Sequence, residues 1–447
     1  MAKSLSSMTS LEKRLVAAQL GLPVVESPEL SSVVHWTPAE KLPVHRWFRY
    51  REGFSPRLLD HFSDSKYRLD PFCGCGTTLL ESTRQGVHSF GIDLNPLATF
   101  VARTKTTRYS EKDRRDFLKL VKISINASRK LPLYPKPAFA LLDKLFLSES
   151  LDTLLRLRNF IAKIPSKRLQ DLCFLVWLSV LERSSNVFKE GNGLKYRNKK
   201  RRPGKYVTIP DRQWVPRYFG ADIPGFVRNL WIEKCAQVSE DMGVMQRIRN
   251  GCRAEIRTGS CLEPENLDFD APIDLAIFSP PYANRFDYFE AFKLELWLGE
   301  FVKEQSDLAR LRGSSIRNNL AAKKYDLDIR WDPLAAFLKI MDPSASSVGM
   351  GIKDALEGYF FDLRSLLRSL RSIITRKGKV VIVVGNSAYA GSIIPTDVLL
   401  ARLGQEEGYR VKAVRVARHL HVSSQQRAEL THLSSFMRES VVVFEQT

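Results

Sequence analysis

The chain has only six cysteines and seven histidines in 447 residues, and no CxxC pair. So few unpaired cysteines argue against a disulfide framework and against a zinc site. The histidines are scattered, so neither a triad nor a metal centre is expected. Long apolar runs are also missing. The longest, Cys173 to Leu181, is interrupted by Ser179 and falls far short of the ~20 residues needed to cross a bilayer. The N-terminus, MAKSLSSMTSLEKRLVAAQL, has no continuous apolar core before a small-residue cleavage site. No membrane association through a span or secretory signal is therefore expected, and the setting reads as reducing and cytoplasmic. Internal repeats and low-complexity tracts do not stand out.

What is present is a globular mixture of 44% apolar and 26% charged residues, enough chain for two to three domains at ~150 residues each. Lysine and arginine total 69 against 49 acidic residues, a net charge of +20. A field of that sign favours a polyanion, nucleic acid or an anionic membrane surface, without choosing between them.

Short apolar runs read as strands at Tyr67 to Leu69, Val87 to Ile92, Ala254 to Arg257, Leu275 to Phe278 and, most clearly, Val380 to Val384 (VVIVV). Helical spacing lies between them at Gly76 to Gln85, Phe360 to Arg376 and Thr396 to Glu407. This alternation predicts an α/β protein with a doubly wound sheet. It breaks between residues 107 and 250, where apolar residues recur at three- and four-residue steps over Lys112 to Ile125, Leu151 to Ile164, Arg168 to Phe188 and Ile223 to Ile248. The expected organisation is an N-terminal segment (1–66), a core in three pieces (67–106, 251–306 and 351–447), a large helical insertion (107–250), and a second insertion or long loop (307–350). A polar stretch, KEGNGLKYRNKKRRPGKY, sits inside the helical insertion as a charged loop.

Asp70 to Thr78 reads DPFCGCGTT, after a strand and at the start of a helix. Gly74 and Gly76 let the backbone turn tightly and approach a ligand. The helix start suits a carboxylate or phosphate, with Thr77 and Thr78 as added hydroxyl donors. Asp93, in GIDLNP at the end of the next strand, lies 19 residues after Gly74, where a carboxylate meets a ribose. Neither GxGxxG nor GxxxxGK[ST] is present. A methionine-bearing nucleoside fits this turn better than NAD or ATP; a plain strand-to-helix turn is the alternative.

Ser279 to Tyr282 reads SPPY after the apolar strand LAIF. Two prolines end the ladder and fix a rigid turn at the strand's C-terminal end, where open α/β sheets bind ligands. Tyr282 can stack on a planar ring while Ser279 and the Pro280 carbonyl accept hydrogen bonds from its amine. A purely structural Pro280-Pro281 turn is the bland alternative.

Together DPFCGCGTT, GIDLNP and SPPY resemble the amino-group DNA methyltransferases that use S-adenosylmethionine. The resemblance covers about half the chain and implies a seven-stranded, mostly parallel sheet with a reversed last strand, the class I methyltransferase fold. It assigns Asp70, Pro71, Phe72, Gly74, Gly76, Thr77 and Thr78 to the methionine end of the cofactor, and Asp93 with adjacent Asn95 to the ribose. Ser260, with Gly259, is assigned to the adenine through a looser match. Ser279, Pro280, Pro281 and Tyr282 form the catalytic motif, whose serine is typical of cytosine-N4 enzymes. The candidate for a cofactor-enclosing motif is His45 to Phe54, with Phe48 and Tyr50 either as wall residues or as core packing. No metal is implied.

The resemblance also implies double-stranded DNA as partner, with the target base flipped out of the stack, and a restriction–modification setting with a cognate endonuclease. The densest basic cluster, Lys195, Arg197, Lys199, Lys200, Arg201 and Arg202, continuing to Lys205, is the candidate for phosphate contacts, with a solvated charged loop that has no partner as the alternative. Beyond SPPY, Arg285, Asp287 and Tyr288 are candidates for the base pocket or the cofactor cleft, and Phe289, Phe292, Leu296 and Trp297 for the core. Adenine-N6, guanine-N2 and RNA base methylation, and an inactive nucleic-acid-binding subunit, are the other functions these residues allow.

Overall fold

The computed structural model describes residues 9–50, 53–190, 193–202, 205–245, 252–284, 286–318, 331–420 and 430–447. Strands β1 (Val24–Glu26), β2 (Tyr67–Asp70) and β3 (His88–Asp93) precede an excursion carrying β4 (Val187–Glu190), β5 (Gly193–Tyr196), β6 (Lys199–Arg202) and β7 (Lys205–Thr208). The chain returns with β8 (Ala254–Thr258), β9 (Ile273–Phe278) and β10 (Ile374–Gly385). A small hairpin follows, β11 (Ser387–Tyr389) and β12 (Ser392–Ile394), and then β13 (Tyr409–His419) and β14 (Arg438–Gln446).

Eight strands form one sheet in the order β1-β13-β14-β10-β9-β2-β3-β8. Strand β14 runs antiparallel to its neighbours β10 and β13, and the other adjacent pairs are parallel. This is the class I methyltransferase fold. The seven expected strands are joined by an eighth, because the N-terminal segment lays the three-residue β1 along Val414, Arg415 and Val416 of β13 and leaves a very short strand at that edge.

The strand residues explain the layers. Leu275 and Ile277 of β9, with Val381 and Val383 of β10, pack against Leu30, Val34, Leu58 and Leu59 on one face. Their alternates Ala276, Phe278, Ile382 and Val384 point to the other face, beneath the helices Ile352–Ile373 and Thr396–Glu406. A run of β-branched residues is stable here because both faces are covered.

Long helices run over Glu111–Lys130, Ser148–Ala162, Lys167–Val180 and Ile223–Met245. They share one apolar core with Trp47, Phe48 and Tyr50 of the N-terminal segment and with Leu97 and Val101 of the helix Pro96–Thr106. Asp241, buried on the last long helix, accepts hydrogen bonds from the Val44 amide (2.9 Å), the Trp47 indole (3.0 Å) and Arg46 (2.6 Å), fastening the N-terminal segment down. The expected charged loop is a correction: its described residues form two consecutive antiparallel hairpins, β4–β5 and β6–β7. Between 307 and 350 the described residues carry the helices Asp332–Leu338 and Ser346–Gly349, after a helix at Gln305–Gly313. Among the described residues no helix is long and apolar enough to cross a membrane.

Candidate active site

Strands β2 and β9 pair directly, Leu69 opposite Ala276, so the loops that follow them leave the same sheet edge side by side. Between these loops lies a cleft of about 330 Å³, within the ~300–1,000 Å³ range of small-molecule sites. Its lining includes Gly74, Asp93, Asn95, Ser260, Ser279 and Tyr282. Residues separated by more than 200 positions in the chain thus face one space.

The first wall is the glycine turn. Gly74 and Gly76 both have positive φ, 49° and 88°, and a Cβ on Gly76 would meet Ala102 at 2.9 Å. Gly76 is therefore a turn and packing residue behind the cleft. Asp70 organises the turn, accepting from the Phe72 amide at 3.0 Å and the Thr78 hydroxyl at 2.5 Å. That bond commits Thr78 to Asp70, which corrects its expected role as a donor to a ligand. Thr77 instead lines a small side cavity with Asp70, Phe72, Gly74 and Ser279. Burial pushes the Asp70 carboxyl up to about 7, against the opposing hydrogen bonds from Thr78 and Phe72. Burial likewise drives the Cys73 thiol well above its ordinary range, which suits packing and not nucleophilic chemistry.

Asp93 ties the turn to the next element. One carboxylate oxygen accepts from the Gly74 amide and the other from the Asn95 amide, each at 2.8 Å. Burial pushes this carboxyl up to about 6 while both amide bonds pull it down. Asn95 caps the helix Pro96–Thr106 through its side-chain oxygen, 3.0 Å from the Leu97 amide. Its Nδ2 is buried at the cleft wall with no hydrogen-bond partner. A buried donor of this kind calls for an acceptor from a ligand. The carboxylate of Asp93 beside that unmatched donor fits a ribose and its base, so the residues present suit a nucleoside.

The opposite wall is the SPPY loop. Ser279 donates its hydroxyl hydrogen to the Val383 carbonyl at 3.1 Å, leaving its oxygen lone pairs as acceptors. Pro281 and Tyr282 line the cleft, whereas Pro280 is buried and is not among the lining residues. The Tyr282 hydroxyl donates to Glu439 of β14 at 2.7 Å, and Arg418 of β13 donates to the other Glu439 oxygen at 2.5 Å. Burial first, and then Glu439, holds the Tyr282 phenol far above its ordinary pKa.

Of the two candidate wall residues, Tyr50 lines the cleft, stacked on Phe292 at 4.8 Å and 7°. Phe48 does not; it is buried in the core, a correction to its expected role. Asp287 and Tyr288 line the cleft, and Asp287 is paired with Arg312 at 2.8 Å. Phe289 both lines the cleft and packs into the core. Arg285 lies outside the described residues. Ser260 and Gly259 line the cleft, with the Ser260 hydroxyl donating to the Ser314 carbonyl at 2.9 Å. Sequence reasoning missed Trp36, Asn318, Arg418 and Glu439, all at the cleft. A strand signal over the alternating YRVKAVRVARH and the apolar VVVF would have brought the last two to the sheet edge.

The basic cluster lies on the hairpins. Lys195, Lys199, Lys200 and Arg202 are exposed, and Arg201 belongs to β6. Lys199 stands 5.0 Å from the Tyr196 ring centroid. Arg197 is corrected: it turns inward, donating at 3.0 Å to the carbonyls of Ser185 and Glu182, with its guanidinium 4.2 Å from the Tyr218 ring centroid. Those bonds anchor the hairpins and leave Arg197 unsuited to a phosphate.

No family model matches the chain. It is similar to Type II methyltransferase M.BsoBI of Geobacillus stearothermophilus, 26% identical over 97% of this chain and 92% of that protein. Type II methyltransferase M.AvaI of a Nostoc species is 23% identical over 92% of this chain and 88% of its own length. A solved rRNA methyltransferase, aviRa from Streptomyces viridochromogenes, covers 93% of this chain and is itself 90% covered, at 10% identity; with a TM-score of 0.26 it adds nothing to the strand order above.

Proposed function

We propose that the chain is a site-specific DNA methyltransferase that transfers a methyl group from S-adenosylmethionine to the exocyclic N4 amine of a flipped-out cytosine. The observation that carries this reading is the shared cleft, with the glycine turn and Asp93 on one wall and the SPPY loop on the other. Similarity to Type II methyltransferases along nearly the whole chain supports the reaction class and a restriction–modification setting, and a cognate endonuclease is part of this proposal.

Asp93 and Asn95 would hold the ribose and base of the cofactor, Ser260 would stand by the adenine, and Asp70, Phe72, Gly74 and Thr77 would shape the methionine end. S-adenosylmethionine supplies a methyl already activated on a sulfonium, so catalysis is chiefly a matter of positioning. Tyr282 stacks on the base, and Ser279 accepts from its amine, turning the nitrogen lone pair out of conjugation; Pro280, buried and away from the cleft lining, holds the turn and does not take the expected carbonyl contact. A duplex base reaches this cleft only when extruded, at a cost of a few kcal/mol. The exposed cations of the hairpins, Lys195, Lys199, Lys200 and Arg202, contact phosphates and offset that cost, together with Arg201 of the same strand.

Mass spectrometry of nucleosides from DNA and RNA incubated with the protein tests the reading. N4-methylcytosine in DNA is expected. N6-methyladenine, or methylation of RNA alone, overturns the assigned base or polymer, and no methylation overturns the reaction. Ser279→Ala is expected to lower kcat by ~10²-fold or more, the loss typical of one misplaced contact at a reacting group, with cofactor affinity retained.

A further inference from the structure

Nothing in the SPPY motif explains what fixes the plane of its tyrosine. A ring attached through two rotatable bonds stacks on a base only when its face is held parallel to that base. The structure supplies a holder from a distant part of the chain. Strand β14 runs against the other strands, so its first residues sit at the edge where the parallel strands end. Glu439 is there, 4% exposed, with one oxygen accepting from the Tyr282 hydroxyl at 2.7 Å and the other from Arg418 Nε at 2.5 Å. A carboxylate this buried is stable in its charged form only when paired and hydrogen-bonded, and Arg418 provides the pairing. Gly385, at the end of the neighbouring β10, completes the arrangement. A Cβ there would lie 2.9 Å from the Tyr282 ring, so the glycine leaves the ring its place.

We infer that Glu439, held by Arg418, is a positioning residue that fixes the ring of Tyr282 for stacking on the target base. The inference rests on the methyltransferase reading above, and Glu439 acts on the base only through the tyrosine. With its hydroxyl anchored at one end and Gly385 beside its Cδ2–Cε2 edge, the ring is restrained in rotation, which is the preorganisation that a stacking platform requires.

The test uses the full chain, unmethylated genomic DNA and labelled S-adenosylmethionine, with cofactor affinity measured separately by calorimetry. Glu439→Ala is expected to lower kcat by roughly tenfold to a hundredfold, as small misplacements at a reacting centre do. Cofactor affinity should stay within about twofold. Glu439→Gln, which keeps an acceptor for the tyrosine hydroxyl, should recover most of the rate. Tyr282→Phe should lower kcat by a similar factor, and adding Glu439→Ala to it should cause no further loss, because both remove the same hydrogen bond. Full additivity of the two, a cofactor affinity that falls with the rate, or an unaffected Glu439→Ala enzyme overturns the inference. Should Glu439→Ala fail to fold, the comparison of Glu439→Gln with Tyr282→Phe decides. An unmodified chain that transfers no methyl group overturns the reaction and this inference together, an outcome distinct from the other three.

Discussion

The cleft and the paired hairpins treat charge in opposite ways. At the cleft Asp70, Asp93 and Glu439 each accept two hydrogen bonds, and Asp70 and Glu439 are below 5% exposed. Along the hairpins Lys195, Lys200, Arg202 and Lys205 are exposed and, among the described residues, pair with no carboxylate; β7 is exposed throughout. Satisfied, buried polar groups make a rigid site that loses little freedom on meeting its ligand. Unpaired surface cations remain available to an anion and act over a Debye length. The contrast teaches that, on the proposed reading, chemistry and polyanion attraction fall to separate parts of the chain and can be changed separately.

The sharpest way to break that separation is at the cofactor wall. Asp93→Ala removes a carboxylate that accepts from two amides and lines the cleft where the cofactor is proposed to bind. Charge-assisted bonds are worth ~1.5–3 kcal/mol, so cofactor binding measured by calorimetry should weaken by about 10- to 100-fold. DNA affinity without cofactor should be unchanged, and a parallel loss of both would merge the two regions into one.

A smaller effect is expected from the hairpins. Replacing Lys199, Lys200, Arg202 and Lys205 together by glutamine should weaken duplex binding and reduce the slope of log affinity against log salt by ~0.9 for each phosphate no longer neutralised. Cofactor affinity should hold. Unchanged DNA affinity and slope would dismiss the hairpins as a phosphate-binding arm.

The smallest effect concerns stability. Burial raises the Asp70 pKa from 3.8 to about 7, so the folded state binds this proton more tightly than the unfolded chain does. Its contribution is therefore fully present below about pH 4 and is lost as pH rises towards about 7. Asp70→Asn should become more stable relative to the unmodified protein across that window, read from the difference between their denaturation midpoints. A difference that does not change with pH would remove the argument. Asp93, raised to about 6, has the same sign and would leave part of the slope in both proteins.

Much of this site was legible because its parts are local. The glycine turn needs only neighbouring residues: Gly74 and Gly76 supply positive φ, and Asp70 bonds within its own turn. The VVIVV run and the prolines of SPPY announce a buried strand and its end in the same way. The hairpins were partly legible, since Asn192-Gly193 and Pro203-Gly204 are turn dipeptides, but lysine and arginine have low strand propensity and the stretch read as a loop. Arg197 looked like its neighbours in composition; only packing against Tyr218 and two carbonyls distinguishes it.

The sequence by itself determined the glycine and SPPY turns, five of the eight strands of the sheet that carries them and the sign of the surface charge, because backbone sterics, side-chain period and ionisation act over a few residues. Tertiary structure alone decided that the turns share one cleft, that Phe48 belongs to the core, and that Glu439 meets a tyrosine 157 positions away. Strand order is the physical reason. Pairing β2 with β9 and reversing β14 between β10 and β13 bring these residues to a single edge, and no local pattern encodes which strands become neighbours.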